Sequence, residues 1–291
     1  MRWKGLRRSS NVDDVRGRGP GGAGFRLPIG AKGGGGIGIV VILAIIFFLG
    51  GPEAVMQLLG GGTSVSVDQP PGTPGAPSAP SDEAGEFVSA VLGSTEDAWM
   101  NIFQGAGADY IPPRLTIFDG AVQSACGFNT SAVGPFYCPP DRRVYLDVAF
   151  FRDLARMGGA GDFAQAYVIG HEVGHHVQNL TGTAAQVRQA QSRGGERDAN
   201  RLQVLMELQA DCYAGVWAHH ADKEHRLLEP GDVQEGLAAA AAIGDDRMQK
   251  NAGRAVTPES FTHGTSAQRQ QWLETGLRTG SVDACDTFAS L

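Results

Sequence analysis

The sequence predicts an α+β protein, mainly helical with a small sheet, that carries one transmembrane helix ahead of a folded head. Three observations carry this expectation. Stretches after residue 82 place apolar residues at helical spacing, short runs at 114–118 and 144–146 read as strands closed by turns, and residues 33–52 contain no charge.

The chain has 291 residues, 42 of them Gly and 15 Pro, with both types concentrated in the first third, so one folded domain plus unstructured sequence is expected. The net charge of −7 hides an asymmetry. Residues 1–32 hold Arg2, Lys4, Arg7, Arg8, Arg16, Arg18, Arg26 and Lys32 against Asp13 and Asp14, and read as a basic cytoplasmic tail. Residues 33–52, with the apolar run Ile37 to Leu49, read as the anchor, because about 20 uncharged residues at about 1.5 Å each just span a hydrocarbon core. A cleaved signal peptide is the competing reading, but the basic region is long for one and no A-x-A-like site follows closely. Residues 53–81, rich in Pro, Gly, Ser and Ala, cannot bury enough apolar surface to offset ordering entropy and are expected to form a flexible linker. The head is then residues 82–291, outside the cytoplasm. Its acidity disfavours nucleic acid as a partner, and the basic residues beside the anchor suit anionic lipid.

The head elements follow in order. Asp82 or a neighbour caps a helix carrying Phe87, Val88, Val91, Leu92, Trp99, Ile102 and Phe103. Arg114 to Phe118 reads as a strand closed by Asp119-Gly120. Cys126 and Cys138 bracket a Gly-containing loop that a disulfide can staple, after which Cys212 and Cys285 remain to pair; four cysteines permit three connectivities, and neither pair has the C-x-x-C spacing of a zinc site. Val144 to Leu146 reads as a strand and is either a core strand or a rail for an extended peptide, and Val148 to Met157 reads as a helix broken by a Gly-rich turn. A helix over Ala164–Gly182 follows, with Asp162 as a candidate cap, then a polar stretch to about Asn200, a long helix from Arg201 to His220, a helix starting at Gly231-Asp232, and a last helix capped by Thr265 or Ser266.

The chemistry sits in the string His171-Glu172-Val173-Gly174-His175. On a helix, residues four apart share a face, so two neutral imidazoles can hold one metal ion while Glu172, beside that face, is placed to take a proton from water. Two His need a third protein ligand, and Glu207 on the later helix can supply it. Asp211, one turn on, can accept the outer N–H of a ligand histidine. An acidic pair on a helix is by default solvated, but Leu205, Leu208, Cys212, Tyr213, Val216 and Trp217 predict a buried helix, where a carboxylate is costly unless paired. His176 points about 100° away from the ligand face and reads as structural or as a support behind the ligands.

H-E-x-x-H followed by E-x-x-A-D resembles the gluzincin zinc peptidases. The stretches MRWKGLRRSSNVDDVRG, CPPDRRVYLD, VIGHEVGHHVQNLTG, ELQADCYAGVWA and FTHGTSAQRQQWLETGLRTG resemble more closely the bacterial, membrane-anchored putative neutral zinc metallopeptidase family. The resemblance implies a zincin-like head, one Zn²⁺ per chain held by His171, His175 and Glu207, Glu172 as general base, and a peptide or protein as substrate. A gluzincin-like role for His263 is to donate to a developing oxyanion. The alternative to a peptidase is a zinc-stabilised, catalytically inactive envelope binding or scaffold module.

Overall fold

The computed structural model describes residues 1–17 and 79–289, which belong to one compact unit. Its mixed sheet contains β1 (Val12–Asp14), β2 (Arg114–Phe118), β6 (Arg143–Asp147) and β5 (Phe136–Cys138) in that order. The first three strands are parallel, and β5 runs antiparallel to β6 at the edge. A separate hairpin, β3 (Ala121–Ser124) with β4 (Gly127–Thr130), sits between β2 and β5 in the chain. Leu115, Ile117, Val144 and Leu146 are buried, which explains why the two inner strands are the ones whose apolar runs predict them.

Eight helices among the described residues build the rest: α1 (Glu83–Gly105), α2 (Phe150–Arg156), α3 (Asp162–Leu180), α4 (Thr183–Gln191), α5 (Glu196–His225), α6 (Asp232–Ala242), α7 (Asp245–Asn251) and α8 (Ser266–Thr279). The core joins Trp99 of α1, Phe163 and Tyr167 of α3, Trp217 of α5 and Leu273 of α8. Asp82 caps α1 by accepting from the Gly85 amide at 2.9 Å. Thr265 caps α8 in a reciprocal capping box with Gln268. At α3 the N-cap is Gly161, not Asp162, which is the first helical residue; its carboxylate lies 2.8 Å from the amino nitrogen of Met1. Gly182, at φ +83°, ends α3 in the left-handed conformation.

Three expectations need correction. The long helix expected over 201–220 is longer: the polar stretch after Gly182 forms α4, and α5 begins at Glu196 and runs to His225. These turns are polar on most faces, so periodicity does not reveal them. Of the two readings of Val144 to Leu146, the core strand holds and the substrate rail does not, because β6 is buried between β2 and β5. Finally, the first seventeen residues are not a free tail but part of the head. Trp3 packs edge-on against Phe87, the Ser9 amide donates to the Ser89 carbonyl, and Val12 pairs with Leu115. Their charges are consumed locally: Arg7 meets Glu96 and Asp97, and Arg114 and Arg143 both meet Asp13. The expected anchor, linker and remainder of the tail lie outside the described residues. Among the described residues, no helix is long and apolar enough to cross a membrane.

Both disulfides form as Cys126–Cys138 and Cys212–Cys285. The first ties the turn of the β3–β4 hairpin to the end of β5, and the second ties the middle of α5 to the turn that follows α8.

Candidate metal centre

Helices α3 and α5 cross at their smallest residues. A Cβ placed on Gly174 would stand 2.9 Å from the Ala210 carbonyl oxygen and 3.0 Å from the Ala210 Cα, so only glycine permits this approach. The crossing brings Glu207, one turn before Ala210, over the two histidines. The Nε2 atoms of His171 and His175 are 3.1 Å apart, Glu207 Oε2 is 3.1 Å from His171 Nε2, and Glu207 Oε1 is 3.5 Å from His175 Nε2. One donor atom from each of the three falls within 4.8 Å of the others.

The outer nitrogens decide what the inner ones are. His171 Nδ1 lies 2.8 Å from Asp211 Oδ1, and His175 Nδ1 lies 2.8 Å from Gln178 Oε1. Both partners are acceptors, so each Nδ1 carries the hydrogen, and each neutral ring presents an Nε2 lone pair to the other. Two lone pairs and a carboxylate oxygen at these separations repel unless a cation stands among them. A proton can do so: burial opposes protonation of His171, but Asp211 and Glu207 outweigh it and push its pKa up to about 10. The same balance raises His175 and holds Glu207 well below the usual carboxylate range. A two-imidazole, one-carboxylate donor set is equally suited to zinc.

The supports of the two histidines differ. Asp211 is fully buried and accepts both the Nε (2.8 Å) and an Nη (2.8 Å) of Arg269, the hydroxyl of Tyr167 (2.6 Å), and His171. Arg269 is itself only 2 % exposed and also donates to the Tyr167 oxygen. Burial alone would raise Asp211, but Arg269 reverses that and brings it to about 2, so the carboxylate stays charged. On the other side, Gln178 donates to the Met206 carbonyl and to Gln209, which in turn donates to the Cys285 carbonyl. This support is wholly neutral.

Arg269, Tyr167, Gln178 and Gln209 are the residues that sequence reasoning misses. Only Arg269 leaves a signal: it shares the buried face of α8 with Leu273 and Gly276, where an unpaired arginine would be costly.

Glu172 is 7 % exposed and lines the same cleft, of about 970 Å³, as the three converging residues. Burial raises its pKa, with the two histidines working against that, so its proton is held more tightly than an ordinary glutamate's. His263 also lines this cleft, but at the rim; its ring is half exposed and its Nδ1 lies 3.2 Å from Asp245 Oδ1, so it is not among the groups that converge. His176 faces away from the centre. Its Nε2–H donates to the Ile111 carbonyl and its Nδ1 accepts from Tyr137, whose oxygen accepts from Asn179. That chain fastens the edge strand β5 to α3, and Phe136 and Tyr137 of β5 line the cleft. A second trio, Asp162, Asp232 and Glu235, also clusters, but there the Met1 amino nitrogen supplies the cation, 2.8 Å from Asp162 and 3.3 Å from Asp232.

No solved structure matches this chain. Among curated proteins, it is 46 % identical over 293 residues to Uncharacterized protein YpfJ of Escherichia coli (strain K12), covering 99 % of each chain. It is 43 % identical over 214 residues to Uncharacterized protein Rv2575 of Mycobacterium tuberculosis (strain H37Rv), covering 70 % of each. The family model described as Putative neutral zinc metallopeptidase matches residues 1–288, a span that takes in the amino-terminal strand, the helices that carry His171, His175 and Glu207, and Arg269. The chain belongs to that family.

Proposed function

We propose that this protein is a zinc-dependent peptidase, with a zincin-like head, acting outside the cytoplasm on peptide or protein substrates at a membrane. One observation carries the reading: His171, His175 and Glu207 present three donor atoms to one point, and both histidines have their outer nitrogens already fixed. These three residues would hold the ion. When bound, zinc supplies Lewis acidity, polarising a scissile carbonyl and making water easier to deprotonate.

The chain's own residues do the remainder. Glu172, buried beside the donors, accepts the proton from the attacking water and returns it to the leaving amine, and its burial-raised pKa makes it a stronger base than an ordinary glutamate. Asp211 and Arg269 hold His171 in the tautomer that offers Nε2, and Gln178 does the same for His175. The strand β5 is the edge of the sheet and its Phe136 and Tyr137 line the cleft, so an extended peptide adding to it would run along the cleft. His263, on the rim, is positioned to contact substrate and, if the cleft narrows on it, to donate to a developing oxyanion. The two disulfides favour an oxidising compartment.

The test is Glu172→Gln. It removes the base while leaving His171, His175 and Glu207 intact, so bound zinc and the thermal unfolding midpoint should match the parent while cleavage of an unfolded protein falls by about 10²–10⁴-fold. Cleavage at the parental rate would remove Glu172 from the reaction.

A further inference from the structure

Glu207 has a support of its own. Gln203, one turn earlier on α5, donates through Nε2 to Glu207 Oε1 at 2.9 Å. Its Oε1 accepts from Gln191 Nε2 at 3.4 Å, and the same Gln191 nitrogen donates to the Ala199 carbonyl at 3.1 Å. Gln191 is the last residue of α4, so this relay runs from the end of that helix into the centre. Its polarity is fixed at both ends. A backbone carbonyl only accepts, so Gln191 turns its NH2 toward it; Gln203 then meets Gln191 with its oxygen and the carboxylate with its nitrogen. Turning the Gln203 amide over would set NH2 against NH2 and oxygen against carboxylate.

The Glu207 carboxylate is 6 % exposed and faces both imidazoles, with Oε2 toward His171 Nε2 and Oε1 toward His175 Nε2. Left unrestrained, it could offer a cation either oxygen or both. An N–H on Oε1 takes up lone-pair capacity there and leaves Oε2 the freer donor. We propose that Gln203 is a positioning residue for the metal centre: it reserves Oε1 of Glu207, so that the carboxylate presents Oε2 alone to the ion. A carboxylate confined to one oxygen keeps the fourth position of the ion for water or substrate, which a peptidase needs. The neutral amide achieves this without adding charge beside the cation. A glutamine paired with a carboxylate four residues on is worth little on a solvated helix face. Here both glutamines line the cleft and the carboxylate is buried, where water competes less for the bond. The inference rests on the reading of His171, His175 and Glu207 as ligands of one ion.

The test uses the full chain loaded with Co²⁺ in place of zinc, because the visible absorption of Co²⁺ reports its coordination: intense with four ligands, weak with five or six. Gln203→Met removes the donor and keeps the length of the side chain. Its cobalt band should be weaker than the parent's, since Glu207 is then free to offer both oxygens. Its zinc affinity, read by competition with a chromogenic chelator, should fall by about 10–100-fold. The unfolding midpoint of the metal-free variant should match the parent's, which separates lost positioning from lost fold. Gln203→Leu removes the same donor and carries the test should the methionine variant not fold. A cobalt band of parental intensity in the folded variant would overturn the positioning role, whatever the affinity. A parent chain that takes up neither cobalt nor zinc would overturn instead the reading of the centre itself.

Discussion

His171 and His175 aim their Nε2 atoms at the same point from one helical turn apart, yet the molecule holds them by opposite means. Behind His171 stands a buried ionic group, Asp211 with Arg269, closed by the Tyr167 hydroxyl. Behind His175 stand only amides and carbonyls, Gln178, Gln209 and the backbone of Met206 and Cys285. A carboxylate partner makes an imidazole more basic and a better electron donor, whereas a neutral amide fixes its tautomer and little else. The ionic support is also the one that cannot lose a member cheaply, because removing either charge leaves the other buried without compensation.

The largest expected effect follows from that asymmetry. Asp211→Ala leaves Arg269 buried and unpaired, so unfolding in urea should show a loss of about 3–5 kcal/mol, while Asp211→Ala combined with Arg269→Met should recover part of it. Equal stability of the single and double variants would show that the pair is not coupled. Next in size, Gln178→Met removes a neutral partner and should weaken zinc binding by about 10–100-fold while sparing most of the fold, as read by competition with a chromogenic chelator. A loss matching that of Asp211→Ala would abolish the distinction between the two supports.

The pH dependence sharpens it further. With His171 raised to about 10, the ion-free centre carries a proton at neutral pH that the metal must displace, so zinc affinity should rise by about tenfold per pH unit across the neutral range. In Asp211→Asn the carboxylate's contribution disappears and the rise should level off at lower pH; in Gln178→Met the slope should be unchanged. The smallest effect concerns delivery of Arg269. Thr265 caps the helix that carries it, and Thr265→Ala should cost about 1 kcal/mol in thermal or urea unfolding without altering the pH slope.

The same contrast explains what the sequence reveals. His171, Glu172 and His175 are legible because helical spacing alone puts the two rings together, and Glu207 and Asp211 because carboxylates in an apolar helix demand a partner. The ionic support is half legible for that reason. Gln178 and Gln209 are not, since a glutamine is at home on any helix surface and only the crossing of α3 and α5 turns these two toward each other. Among the larger elements, α1, α3, β2, β6 and the Thr265 cap are readable from apolar period and turn chemistry. The strand β1 is not: three residues, two of them acidic, gain meaning only from partners about a hundred positions away, and the flanking arginines look like a solvated tail until their carboxylates are in view.

The Cys212–Cys285 bond has a bearing on the centre that its distance in sequence conceals. Cys285 is fastened to α5 one residue beyond Asp211, and its carbonyl is the last acceptor in the amide chain behind His175. Without this bond that turn would be held to α5 by the hydrogen bonds of Gln209 to the Cys285 carbonyl and of Thr287 to the Leu205 carbonyl, so the end of the amide chain would lose one of its fastenings. The covalent bond thus backs the neutral side of the centre, which has no ion pair of its own, at the place where its chain of amides ends.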